Sequence, residues 1–88
     1  MPITEKVSFL ARLQKLNRLQ IPVEVRWRYK LEKGEILKVK VNPVGSLESE
    51  TFVARLLGDG RITIPWEVIW KFQLRRSGYM LRVGLLPQ

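Results

Sequence analysis

Residues 18–25 read RLQIPVEV, and residues 61–68 read RITIPWEV. The two stretches lie 43 positions apart, and 11 of the 23 residues from 9 to 31 are identical to those 43 places later. After position 77 the offset becomes 44, which indicates one inserted residue in the second copy. We interpret the 88 residues as a single domain with internal repeats at 7–43 and 50–87, joined by a linker at 44–49.

Each copy shows the same order of patterns: strand, turn, strand, helix, strand. Val7, Phe9 and Ala11 alternate with outward residues, as in a strand with one apolar face. The first copy has Asn17 where the second has Gly60, and both residue types suit a left-handed turn. The two copies predict a mainly β, all-β-class fold of six strands and two short helices. The matched positions predicted to face the core are Phe9, Phe52, Leu13, Leu56, Ile21, Ile64, Val39 and Val83.

The Gly60-Arg61 turn, the Ile64-Pro65 pair and the acidic Glu67 that opens the helix resemble the AbrB/SpoVT-type pattern. The first copy repeats it from Arg18 to Glu24. This resemblance implies a cradle-loop barrel and a DNA-binding regulator. The family unit has a fourth strand, and here a proline interrupts the place where it would start. Three strands per copy are more similar to a RIFT-type barrel than to an interleaved swapped-hairpin dimer, so we expect one closed six-stranded barrel with an approximate twofold axis.

Basic residues provide the strongest functional pattern. Sixteen Lys and Arg outnumber eight Asp and Glu, a net charge of +8 that is typical of proteins that bind polyanions. The strand alternation also turns Lys38, Lys40 and Arg82 outward. We predict DNA binding through phosphate contacts, in an AbrB-like transcription regulator or a chromosome-associated protein. The arginines predicted to make these contacts are Arg12, Arg18, Arg26, Arg28, Arg55 and Arg61.

Catalysis has little support, because the sequence contains neither histidine nor cysteine. Glu24 and Glu67 are repeat equivalents that a twofold axis could bring together, but their place at helix starts favours a dipole interaction. They are also alternative partners for Arg18 and Arg61, which could instead bond the carbonyls of their own turns. We predict no enzyme activity, no catalytic residues, no cofactor and no metal site.

The aromatic residues leave two interpretations open. Tyr29 and Phe72 stand at matched helix positions and are predicted to pack against the core. Trp27 lies between two arginines and is expected to be partly exposed. With Trp66 and Trp70 these rings would alternatively form a stacking platform for single-stranded nucleic acid.

Two other functions remain open at this point. One is an RNA- or ribonucleoprotein-binding module of the RIFT-barrel type, and the other is a protein-interaction domain without nucleic-acid binding. No stretch has the ~20 apolar residues that a membrane span needs, and no secretory signal is visible, so a cytoplasmic protein is expected. We expect a monomer, with dimerisation through a surface patch left open.

Overall fold

A computed structural model describes residues 3–74 and 78–87. The strands and helices are, in order, β1 (Val7–Arg12), β2 (Arg18–Gln20), α1 (Val23–Arg28), β3 (Ile36–Pro43), β4 (Glu50–Arg55), β5 (Arg61–Thr63), α2 (Trp66–Phe72) and β6 (Met80–Leu86). A short 3-10 turn, Lys15–Asn17, precedes β2. The predicted six strands and two short helices are therefore confirmed.

The strands form two antiparallel sheets. One has four strands in the order β1-β6-β3-β4, and the other consists of β2 and β5 alone. The two sheets are not closed into a barrel, because the three-residue strands β2 and β5 form their ladder only with each other. The coarse expectation of a mainly β fold is confirmed, whereas the closed barrel is not seen.

Every ladder between the named strands joins one copy of the repeat to the other. Strand β6 of the second copy lies between β1 and β3 of the first, and β3 in turn pairs with β4. Repeat equivalents face each other across the central ladders: Lys40 lies opposite Gly84, and Leu19 lies opposite Ile62. An approximate twofold relation therefore passes through both sheets, and neither copy has a β-sheet of its own.

The core lies between the two sheets and takes side chains from both copies. Of the eight predicted core residues, six are buried: Leu13, Leu56, Ile21, Ile64, Val39 and Val83. Phe9 and Phe52 pack against this core but are only half-buried. Their strands, β1 and β4, are the edges of the larger sheet, and a ring on an edge strand has neighbours on one side only. The prediction that both rings are core residues is corrected in this respect.

Each helix begins after a proline and ends beside a paired cation. Arg28 of α1 lies 3.6 Å from a carboxylate oxygen of Glu5, and Lys71 of α2 lies 3.4 Å from one of Glu50. Both cations also lie over the aromatic ring that follows them in sequence, at 5.5 and 5.7 Å from the ring centroids. Both helices thus end beside an ion pair, although Glu5 and Glu50 are not repeat equivalents and exposed pairs of this kind contribute little stability each.

Leu19 and Ile62 test the dependence of the fold on contact between the copies. Both are fully buried, and they face each other in the small sheet. We expect Leu19→Ala or Ile62→Ala to lower the free energy of unfolding by about 2–5 kcal/mol in urea titrations, since each leaves a cavity at the contact. Leu10→Ala is the control, because Leu10 is 57% exposed. Equal midpoints for all three variants would contradict the burial described here.

Candidate nucleic-acid interface

The outer face of the four-stranded sheet is basic. Its strand positions alternate with the buried residues of the core, as the pleat of a strand requires. Five of these outward positions are cations and none is a carboxylate. The outward residues are Ser8, Leu10, Arg12, Ile36, Lys38, Lys40, Asn42, Thr51, Val53, Arg55, Met80, Arg82, Gly84 and Leu86.

The five cations form a diagonal line across all four strands, which we call the basic stripe. In each step from one strand to the next, the next cation lies two residues along from the position directly opposite. Diagonal neighbours of this kind are about 7–8 Å apart. The basic stripe runs through Arg12, Arg82, Lys40, Lys38 and Arg55. The line follows from strand register, so it joins residues that are distant in sequence.

The two ends of the basic stripe are anchored to turns. Arg12 donates from Nη1 to the carbonyl of Gly78 at 3.2 Å, and Arg55 donates in the same way to Gly34 at 3.2 Å. Both glycines have a positive φ, which marks the tight turn that each arginine supports. Both arginines remain exposed, and a guanidinium has five N–H donors, so each keeps donors for a ligand.

The three central cations of the basic stripe are available to a ligand. Within residues 3–74 and 78–87, the side chains of Arg82, Lys40 and Lys38 make no hydrogen bond or ion pair with the protein. The sequence alone predicted that these residues face outward, but it did not place them in the site. Only the strand register shows that they lie on one line with Arg12 and Arg55.

Arg61, a predicted phosphate contact, is held by its own turn. Its Nη1 donates to Asp59 at 2.7 Å, and its Nε donates to the Gln14 side chain at 2.6 Å. The Arg61 backbone N–H also donates to Asp59, at 3.1 Å. The hydrogen bond from Arg61 lowers the pKa of the Asp59 carboxyl below its ordinary value. The sequence analysis offered Glu67 as an alternative partner of Arg61. Arg61 does have an intramolecular carboxylate partner, but this partner is Asp59 and not Glu67.

Arg18, the repeat equivalent of Arg61, lacks these partners. Asp59 and Gln14 accept hydrogen bonds from Arg61, and the repeat equivalents of these two residues are Leu16 and Leu57, which have no polar side-chain group to offer Arg18. The Nε of Arg18 is buried without a hydrogen-bond partner among the described residues. Leu16 also has φ 64°, a left-handed conformation that is costly for leucine. The first-copy turn is therefore less well satisfied than its counterpart.

The last two predicted arginines lie on α1. Arg26 donates from Nε to the Ile21 carbonyl at 3.1 Å, and its guanidinium lies over Gly60. A Cβ at Gly60 would clash with this guanidinium, so any other residue there would displace Arg26, and the φ of 82° also favours glycine. Arg28 is exposed and pairs with Glu5. The structure thus brings two of the six predicted arginines onto the outer face of the four-stranded sheet, and places the other four at the start of β2 and β5 or on α1.

The three tryptophans are exposed on the helices. Trp66 and Trp70 are 63% and 71% exposed, and their ring centroids are 5.4 Å apart. They border a cavity of about 470 Å³ beside α2 that is also lined by Asn17 and Ile69. At the twofold-related place beside α1, the equivalents of Asn17 and Ile69 are Gly60 and Arg26, which pack against each other. Tyr29 and Phe72 are half-buried against the core, which agrees with their predicted packing.

The acidic residues form no cluster in the described part of the chain. There, no group of three or more Asp and Glu side chains could hold a metal ion. Glu24 and Glu67 each lie in the first turn of a helix. Neither lines the cavity beside Trp66 and Trp70, and neither lines a second cavity, on the outer face of the four-stranded sheet, that is described below. Neither described helix has the length and apolar content needed to cross a membrane.

Comparison with known proteins supports the fold and leaves the function open. No family model matches the sequence, and no curated protein matches it. The chain is similar in structure to the solution structure of PHS018 from Pyrococcus horikoshii, with a TM-score of 0.76. The two sequences are 25% identical over 92% of this chain and 94% of that one. The arrangement of six strands and two helices therefore recurs in another protein.

The difference between the turns before β2 and β5 predicts the effect of replacing Leu16. We expect Leu16→Asp to stabilise the protein by about 1 kcal/mol, because aspartate tolerates the left-handed backbone better and offers Arg18 a carboxylate. Leu16→Asn is the matched control, since it relieves the backbone without adding charge. Urea midpoints should rank Asp above Asn and Asn above Leu. A Leu16→Asp protein less stable than the wild type would show that Arg18 needs no partner.

The Asp59–Arg61 pair makes a prediction about pH. Because folding lowers the pKa of Asp59, its contribution is present above the ordinary aspartate pKa and is lost as pH falls through the folded value. We expect Asp59→Asn to lower the melting temperature at pH 7, with the difference from wild type shrinking below about pH 4. A difference that stays constant from neutral to strongly acidic pH would mean that the carboxylate charge is not involved.

Proposed function

We propose that this protein binds duplex DNA by docking the phosphates of the backbone on the basic stripe. The observation that carries the proposal is the line of five cations on a sheet face whose strand positions hold no carboxylate. The spacing of the stripe, about 7–8 Å between neighbours, is comparable to that of successive phosphates along a nucleic-acid strand. Each phosphate contact releases counterions, which makes this kind of binding favourable and dependent on salt.

The chemistry of the face favours a duplex over a single strand. Binding of single strands combines a basic groove with aromatic rings on which the bases stack. The outward strand positions contain no aromatic residue, and the three tryptophans lie on the helices. A face of cations, hydroxyls and aliphatic side chains fits a ligand whose bases are already stacked inside a helix and whose phosphates are outside.

The face is suited to binding without strong sequence preference. Base-edge readers in the major groove are usually long polar side chains on a helix or a two-stranded ribbon. The basic stripe crosses a four-stranded sheet and offers mainly charge, so phosphate contact dominates. A chromosome-associated protein in the cytoplasm fits this better than a regulator of a few sites. We also propose that the fold is related to the AbrB-like and RIFT-type cradle-loop barrels, on the strength of the repeated Ile-Pro pattern.

The central cations provide the test. In the double variant Lys38→Gln/Arg82→Gln, we expect weaker binding to duplexes of unrelated sequence. We also expect the slope of log affinity against log salt to fall by about 1.8, which is about 0.9 for each lost contact. Melting temperature should change little, because neither side chain has a partner within the described residues. Fluorescence anisotropy across salt concentrations measures affinity and slope.

The control double variant Lys15→Gln/Lys30→Gln removes the same net charge away from the basic stripe. It should keep most of the salt slope. Equal effects of the two double variants would show that DNA senses only the total charge, which contradicts docking on the stripe. Tighter binding to structured RNA than to duplex DNA would favour the RNA-binding alternative, and no binding at low salt would favour a protein-interaction domain.

A further inference from the structure

A cavity of about 330 Å³ opens on the outer face of the sheet, at the centre of the basic stripe. It lies where the two copies meet, because Lys40 and Gly84 are opposite each other on the central strands β3 and β6. We infer that this cavity is a pocket for a dianionic phosphate group, as found in free phosphate, in a nucleoside monophosphate or at the end of a nucleic acid. The inference rests on the proposed function only to the extent that Lys40 and Arg82 belong both to this cavity and to the basic stripe.

Three cations converge on the cavity. Lys6, Lys40 and Arg82 line it, and no carboxylate does. The structure gives none of the three side chains a hydrogen bond or ion pair within residues 3–74 and 78–87. Like charges held around one hollow repel each other, and an anion bound between them relieves that repulsion. A concave site lined by one sign of charge also concentrates ions of the opposite sign.

Gly84 makes room for the Lys6 side chain in the wall of the cavity. A Cβ built at this position would lie 3.3 Å from Cε of Lys6 and 3.9 Å from Cβ of Lys40. The stem of Lys6 therefore crosses above Gly84 and comes beside Lys40. The repeat equivalent of Gly84 is Lys40 itself, so one copy supplies the charge and the other supplies the space. This is an asymmetry of the two copies at the centre of their shared sheet.

The linker forms a fixed wall with hydroxyl groups. Asn42 donates from its side-chain amide to the Ser46 carbonyl at 2.9 Å, and also to the carbonyl of Glu48. The Ser46 hydroxyl accepts a hydrogen bond from the Glu48 backbone N–H at 3.1 Å. These bonds hold Ser46 at the edge of the cavity, which is also lined by Ser49 of the linker and by Ser8 of β1. Hydroxyl donors and three cations match the oxygens of a phosphate monoester, which has two charges, better than those of a diester, which has one.

The pocket is tested by titrating the protein with inorganic phosphate and with adenosine 5′-monophosphate near pH 7.5, followed by the amide resonances of Gly84 and Lys40. Adenosine is the uncharged control. We expect saturable shifts with both phosphates and none with adenosine. Lys6→Gln should weaken phosphate binding about tenfold or more, because it removes a charge-assisted bond. Gly84→Val should abolish it while keeping the net charge, and Lys15→Gln should change it little.

Anisotropy with a duplex that does or does not carry 5′-phosphates identifies the source of the phosphate. Tighter binding of the phosphorylated duplex by wild type, lost in Lys6→Gln, assigns the pocket to nucleic-acid ends. Equal binding of both duplexes, with an intact phosphate titration, assigns the pocket to small phosphates.

An absence of saturable shifts in the wild type, or unchanged shifts in a folded Gly84→Val or in Lys6→Gln, would contradict the proposal of a phosphate pocket. DNA affinity and its salt slope would still report on the basic stripe through Lys38, so failure of the pocket and failure of DNA binding are distinguishable.

Discussion

The pairing of strands between the two repeat copies is the constraint on which the rest of the structure depends. β6 pairs with β1 and β3, β3 pairs with β4, and β2 pairs with β5, so each ladder needs one strand from each copy. The backbone polar groups of either copy alone would lack their partners, and its apolar faces would lack a cover. The same pairing creates the basic stripe, because cations far apart in sequence become diagonal neighbours only in this register. The proposed DNA surface and the phosphate pocket both follow from it.

The candidate sites lie where the copies differ. The turn of the second copy is satisfied by Asp59, whereas the first has Leu16 and leaves the Arg18 Nε without a partner. Beside α1, Arg26 packs on Gly60, whereas beside α2 the equivalent residues Ile69 and Asn17 line the cavity next to the tryptophans. At the centre of the sheet, a lysine in one copy faces a glycine in the other. An approximate twofold repeat thus supplies the scaffold, and substitutions in one copy shape the sites.

Sequence patterns predicted much of the fold and the outward direction of the cations that form the basic stripe. The alternation of apolar residues and the repeated Ile-Pro pattern correctly indicated six strands and two helices, and the direction of the strand faces placed Lys38 and Lys40 outward. Strand order was not predictable, because it depends on pairs such as Lys40 with Gly84 and Val7 with Leu85, which are 44 and 78 positions apart and which local patterns do not encode. The sequence predicts a phosphate contact for Arg61, but it does not show that this side chain also donates to Gln14, 47 residues away. Edge position likewise explains why Phe9 is less buried than its pattern suggested.

Separating the two copies tests the central claim most directly. Residues 1–45 and residues 46–88 can be expressed as independent peptides and compared with the intact chain by two-dimensional NMR and sedimentation. If every ladder needs both copies, each peptide alone will be unfolded as a monomer, and an equimolar mixture will recover the dispersed spectrum of the intact protein. A dispersed, native-like spectrum from either peptide as a monomer would contradict the account, since it would show that one copy can form its sheet without the other.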